Sequence, residues 1–185
     1  DFLVNKKKSK AIVIACNTAT AFAVNILRDR FNIPIIGMEP AVKPALEVTL
    51  NKMVGVLATS GTSKSAKFSA LLERYSGDVK FFIQPCPGLV NAIEKGSFDD
   101  SELFELLEKY LANFKKNSVD TIVLGCTHFV YIKHLVKKIM GANIKIVDTS
   151  EAVARQLKVK LDEFNLRANS SEPHEKMKLI LTKHK

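Results

Sequence analysis

Long apolar runs are missing from this chain, and with them a membrane-spanning helix: none approaches the roughly 18 residues that a span requires. A secretory signal is missing too, because DFLVNKKKSK places its basic residues after the apolar ones rather than before them. Cysteine is scarce, three residues in 185, odd in number and without a CxxC pair. That excludes a disulfide framework and offers no zinc-type spacing. The P-loop pattern GxxxxGK[ST] also fails, since Gly61 is followed by Thr62 and Ser63 and stands at the wrong distance from Gly55. Together these absences read as a soluble, cytoplasmic protein with free thiols and no membrane partner.

The 46% hydrophobic content suits one ordinary globular domain or two small ones. Lys and Arg outnumber Asp and Glu by 28 to 19, a net charge of +9. Clustered cations would point to nucleic acid. Lys6 to Lys8, Lys115 with Lys116, Lys137 with Lys138 and Lys183 with Lys185 are instead scattered, mostly at the ends of elements. They read as a solvated surface, and no nucleic-acid partner is expected.

Two stretches share one design. In TIVLGCTH, the apolar or β-branched run Thr121 to Leu124 reads as a buried parallel strand, Gly125 permits a tight turn, and Cys126, Thr127 and His128 follow. In AIVIACNT, Ile12 to Ile14 lead through Ala15 to Cys16, Asn17 and Thr18. Ligands in α/β proteins bind at the carboxyl ends of parallel strands, so the repeated pattern points to two cysteines facing one site.

Strands and helices alternate along the rest of the chain. Ala19, Phe22, Ala23, Ile26 and Leu27 predict a helix with that face buried, capped by Asn17 or Thr18 and ending near Arg30. A strand over 33–36 completes a βαβ unit. Two prolines in MEPAVKP mark a crossover into a helix over 40–50, a strand over 54–58 enters the TSGTSKS turn, and a helix follows over 65–75. That turn either holds a carboxylate at a helix N-terminus or is an ordinary cap. A strand over 79–83 ends in QPCPG, whose Cys86 reads as structural. A short helix covers 89–94, and a strongly amphipathic one covers 100–114 through Leu103, Leu107, Tyr110 and Phe114. After the TIVLGCTH strand come a helix over 129–140, a strand over 144–147 and an amphipathic helix over 151–166 through Val153, Leu157, Leu161 and Phe164. A polar loop over 167–176 and a last strand over 177–182 end the chain. Such alternation predicts an α/β fold of parallel sheets flanked by helices.

A free thiol, with a pKa near 8.5, needs a partner to act as base at neutral pH. His128 is the histidine close in sequence to Cys126. Its alternative role is to cap the following helix.

ACNTATA (15–21) with GCTHF (125–129) resembles the glutamate racemase family, and GMEPAVKPA, LATSGT, CPGLVNAIEKG and VDTSEAVA continue the resemblance in order. It implies two α/β lobes with the site in a cleft between them: a first lobe of 1–38 plus 148–185 and a second of 39–147. It further implies cofactor-independent racemisation of glutamate, supplying D-glutamate for peptidoglycan and hence for cell wall and cell shape. Cys16 and Cys126 are then the acid/base pair on opposite faces of the substrate, and His128 assists Cys126. Asn17, Thr18, Thr59, Thr62 and Thr127 match positions that hold the amino acid, and Glu94 matches an acidic residue near the site. Aspartate racemases are similar but usually carry an acid where His128 stands. A homodimer is one assembly compatible with the resemblance. The alternatives are aspartate racemase or another two-cysteine isomerase, and a non-catalytic metabolite-binding protein with inert thiols.

The chain begins with Asp1 rather than Met, nearly at the foot of its first strand, and reads as a fragment or processed form. Nothing before Lys10 supplies the family's Asp-Ser and Pro-Tyr-Gly motifs, and Val130 and Tyr131 replace the usual Pro-Leu. The first lobe is therefore expected to be incomplete, with little activity and poor stability in this 185-residue form.

Overall fold

The structure, a computed structural model, describes residues 1–96, 101–168 and 177–181. Two parallel sheets carry the fold. The smaller pairs β1 (Ile12–Ile14) with β2 (Ile35–Gly37) through helix α1 (Asn17–Arg30), and sets Ile14 opposite Gly37. The larger has the order β4-β3-β5-β6, with β3 at Met53–Ala58, β4 at Lys80–Pro85, β5 at Thr121–Gly125 and β6 at Lys145–Val147. The helices that connect and flank these strands are α2 (Val42–Val48), the single turn α3 (Ser60–Ser63), α4 (Ala66–Tyr75), α5 (Leu89–Glu94), α6 (Ser101–Lys116), α7 (Lys133–Met140) and α8 (Ser150–Glu163). A 3₁₀ segment, Thr127–Ile132, joins β5 to α7.

β3 and β5 are apolar because both of their faces are covered. Val54, Val56 and Val123 meet Val42 and Ala45 of α2 and Phe68 of α4. Leu57, Ile122 and Leu124 point the other way, into a larger cluster built from α5, α6, α7 and the 3₁₀ segment. This division follows the two-residue period of a strand. Side chains such as Leu107 and Phe114 are wholly buried there, each contributing about 1.5–3 kcal/mol.

Register then builds an edge. Ala58 at the end of β3 lies opposite both Pro85 of β4 and Gly125 of β5. The next residues, Thr59, Cys86 and Cys126, therefore leave the sheet together at its carboxyl edge. Gly125 is required by close approach, because a Cβ there would stand 2.7 Å from the Leu57 carbonyl oxygen.

Several expectations are corrected. α1 buries Asn17, Thr20 and Val24 rather than the stripe through Phe22 and Ile26, which are 65% and 66% exposed. Thr20 fixes this rotation: its hydroxyl donates to the Ile14 carbonyl at 3.3 Å and accepts the Met38 N–H at 2.9 Å. A two-stranded sheet is too narrow to cover the remaining apolar stripe. The N-cap of α1 is Cys16, not Asn17 or Thr18. The TSGTSKS turn contains α3, capped by Thr59, while Ser65 caps α4, so ordinary capping occupies both helix starts. The expected helix over 129–140 opens instead as the 3₁₀ segment. α8 stops at Glu163, with Val153, Leu157 and Leu161 only half-buried. Residues 177–181 form no strand and are exposed, while Thr182 and most of the expected polar loop lie outside the described residues. Asp100, the expected start of α6, lies outside them as well.

Candidate active site

Both candidate thiols start helical segments. Cys16 is exposed, in extended backbone, and its Sγ accepts the Ala19 N–H of α1 at 3.4 Å. Cys126, also extended, is the N-cap of the 3₁₀ segment and is only 8% exposed. Burial raises the pKa of Cys126 above the ordinary thiol value. The N–H groups of His128 and Phe129 oppose that shift, and the nearby charge of Cys16 adds to it. Geometry joins the two strand-Cys motifs: Thr18, two residues past Cys16, bonds Thr59 and Thr62 at the strand edge from which Cys126 also emerges.

Behind Cys126 stands a chain of polar contacts. Its Sγ lies 3.8 Å from His128 Nδ1, and His128 Nε2 lies 3.0 Å from Glu94 Oε1. The 3₁₀ segment turns His128 back toward Cys126, while α5 brings Glu94 from 34 residues away. A Glu94 carboxylate can only accept, so Nε2 carries the proton of that bond. Nδ1 is then left to accept from the thiol of Cys126. Thr127, half-buried, separates Cys126 from His128.

Thr18 of α1 meets Thr59 and Thr62 of the β3–α3 turn. The three hydroxyl oxygens form a closed triangle with sides of 2.8, 2.9 and 3.1 Å, linking the two sheets' substructures. Beside it, the Asn17 side chain is buried, and neither its amide nitrogen nor its oxygen has a hydrogen-bond partner among the described residues. A buried amide left unpaired costs about 1–3 kcal/mol, so Asn17 is a polar group suited to a ligand. The structure thus brings Cys16, Asn17, Thr18, Thr59 and Thr62 to one seam, and Cys126, Thr127, His128 and Glu94 to the adjoining edge.

Cys86 is different. It is 3% exposed, its thiol donates to the Gln84 carbonyl at 3.3 Å, and burial pushes its pKa up to about 12. It cannot work as a base near neutral pH. The Ala19 N–H was not foreseen, because a backbone donor leaves no mark in side-chain identity.

Two parallel sheets that each deliver a thiol at a strand's carboxyl end, with hydroxyls and an amide between, define the candidate site of this α/β protein. The chain belongs to the Asp/Glu/Hydantoin racemase family, whose pattern it matches over residues 3–157. A glutamate racemase of Pseudomonas paraeruginosa is 51% identical over 158 residues, spanning 85% of this chain and 59% of the relative. Among solved structures, Escherichia coli glutamate racemase in complex with L-glutamate and the activator UDP-MurNAc-Ala superposes with a TM-score of 0.75 at 30% identity, over 83% of this chain and 58% of that one. Francisella tularensis glutamate racemase in complex with D-glutamate gives 0.75 at 28% identity, over 90% and 62%. The chain therefore spans about three-fifths of the length of the relatives it matches. Among the described residues, no helix is long and apolar enough to cross a membrane.

Proposed function

We propose that the protein interconverts L- and D-glutamate without a cofactor, in the cytoplasm and as a homodimer, and so supplies D-glutamate for peptidoglycan. One thiolate removes the Cα proton while the opposite thiol returns one to the other face; inversion at carbon needs a base and an acid on opposite sides, and matched groups serve both directions. The observation that supports this reading is the Thr18–Thr59–Thr62 bonding that brings the Cys16 helix start to the strand edge bearing Cys126, with the His128–Glu94 pair behind Cys126. His128 takes the Cys126 proton at Nδ1, and Glu94 holds the ring in the tautomer that allows it. Asn17, Thr18, Thr59, Thr62 and Thr127 bind the ammonium and carboxylate groups of the substrate, in a cleft between a first lobe (1–38 and 148–185) and a second (39–147). His128, where aspartate racemases usually carry an acid, favours glutamate.

Incubation with L-glutamate in D2O tests the reading. Deuterium is expected at Cα together with loss of optical rotation, and Cys126→Ser is expected to slow both by about 10²–10⁴-fold. Racemisation retained in Cys126→Ser would overturn the two-thiol assignment.

A further inference from the structure

Glu94 meets His128 from the last residue of α5, a helix of six residues. So short a helix has little stability of its own, and its neighbours decide where it lies. Here the neighbour is α6. At the start of α5, the Tyr110 hydroxyl of α6 donates to the Pro87 carbonyl at 2.6 Å. The next residue, Gly88, adopts a φ of +81° and begins α5 with no side-chain cap. At the far end, Lys95 pairs with Glu102 of α6 at 3.2 Å.

The two attachments are unequal. Lys95 and Glu102 are well exposed, and exposed pairs of this kind contribute little. Tyr110 is 6% exposed and packs in the same apolar cluster as Leu89, Ile93 and Cys86. Its hydroxyl bond to the exposed Pro87 is half-buried, anchored by the packing of the ring beneath it. The loop it grips is also tied to the sheet, because the Cys86 N–H donates to the Ala58 carbonyl at 2.9 Å.

We propose that Tyr110 is a positioning residue for proton transfer at Cys126: by holding Pro87 it sets where α5 begins, and hence where the Glu94 carboxylate meets His128. This rests on the Glu94–His128 reading given above. The lever is short and stiff. From Pro87 to Glu94 the path is about 10 Å at 1.5 Å per residue, so a tilt of about 6° at its start moves the carboxylate by about 1 Å. Displacements of that size in a catalytic array cost up to about a hundred-fold in rate.

A double-mutant cycle in the full chain tests the proposal, using Tyr110→Phe, Glu94→Gln and the pair, with Cα exchange of L-glutamate in D2O followed across pH. Tyr110→Phe keeps the ring in the core and removes only the O–H. It is expected to lower kcat about ten-fold, to leave KM within about two-fold, and to move the pH–rate profile in the direction that Glu94→Gln moves it. The double variant is expected to be no slower than Glu94→Gln alone, because both changes act through one carboxylate. Leu111→Ala, which empties a buried site on the same helix, is expected to lower stability without moving the profile. Additive losses, or an unmoved profile in Tyr110→Phe beside a shifted one in Glu94→Gln, would overturn the role of Tyr110 and leave the relay standing. A silent Glu94→Gln would remove the relay and the positioning role together.

Discussion

Replacing Gly125 by alanine places the smallest change next to Cys126. The added Cβ would lie 2.7 Å from the Leu57 carbonyl oxygen and 3.4 Å from the Ala58 Cβ. Carbon and carbonyl oxygen ordinarily approach to about 3.3–3.6 Å, so the clash amounts to about 0.6 Å or more. The oxygen cannot swing aside: Leu57 is backbone in a strand paired on one side with Gln84 and on the other with Leu124. The end of β5 must move instead. Overpacking of this kind costs about 1–3 kcal/mol. At about 3 °C per kcal/mol for a chain of this size, the expected fall in Tm is roughly 3–9 °C. Because Cys126 is the next residue, its sulfur shifts relative to His128, and Cα exchange is expected to slow about ten-fold. Calorimetry and deuterium incorporation measured on the same preparation check both halves. A Tm within about 1 °C of the parent, with full exchange, would show that the β3–β5 contact at this point does not set the thiol's position.

Two further expectations concern the thiols and the loop at the foot of β5. Brief alkylation with iodoacetamide at pH 8 should label exposed Cys16 first and buried Cys126 more slowly, and should spare Cys86, whose pKa of about 12 keeps its thiolate population roughly a thousand-fold below that of an ordinary thiol. Early modification of Cys86, read by peptide mass spectrometry, would contradict its place in the core. Asp120 accepts from the Thr49 hydroxyl and the Leu50 N–H, both at 2.7 Å, and from the Asn51 N–H at 2.9 Å. Partial burial pushes its pKa up, but these donors outweigh it and hold the carboxyl below its ordinary value. Its stabilisation is therefore full above the unfolded-state value of about 3.9 and is lost as pH falls through the folded-state value. Urea midpoints should drop along that acid limb, and Asp120→Asn should flatten it; an acid limb unchanged by the substitution would refute the linkage.

Legibility in the sequence tracked how local each cause is. β3 and β5 could be read because strands covered on both faces need unbroken apolar runs, and the residues after them inherit their positions from the strand ends. α1 departs from its apolar pattern for a physical reason. Apolar periodicity finds a stripe, but Phe22 and Ile26 lie on the part of it that two strands cannot cover, while Thr20 sets the rotation through bonds to Ile14 and Met38. Oxygen side chains are the usual helix caps, which favoured Asn17 or Thr18; the extended backbone at Cys16 gave the role to sulfur instead. Glu94 carries no local mark of the site, because its partner is 34 residues away and is reached only once α5 has docked. Register across β4, β3 and β5, which gathers Thr59, Cys86 and Cys126 at one edge, is a property of the pairing and no single strand carries it.

The unequal surroundings of Cys16 and Cys126 follow from where each strand lies. β1 belongs to a small sheet, and Cys16 emerges into water with the Ala19 N–H beside its sulfur. β5 is central in the larger sheet, and Cys126 emerges beneath α5 and the 3₁₀ segment, where burial works against the charge. His128, held by Glu94, stands against that buried sulfur. Burial of the sulfur and the His128–Glu94 contact arise from the same docking of α5 and the 3₁₀ segment over the strand end, so a change to either is felt through the other.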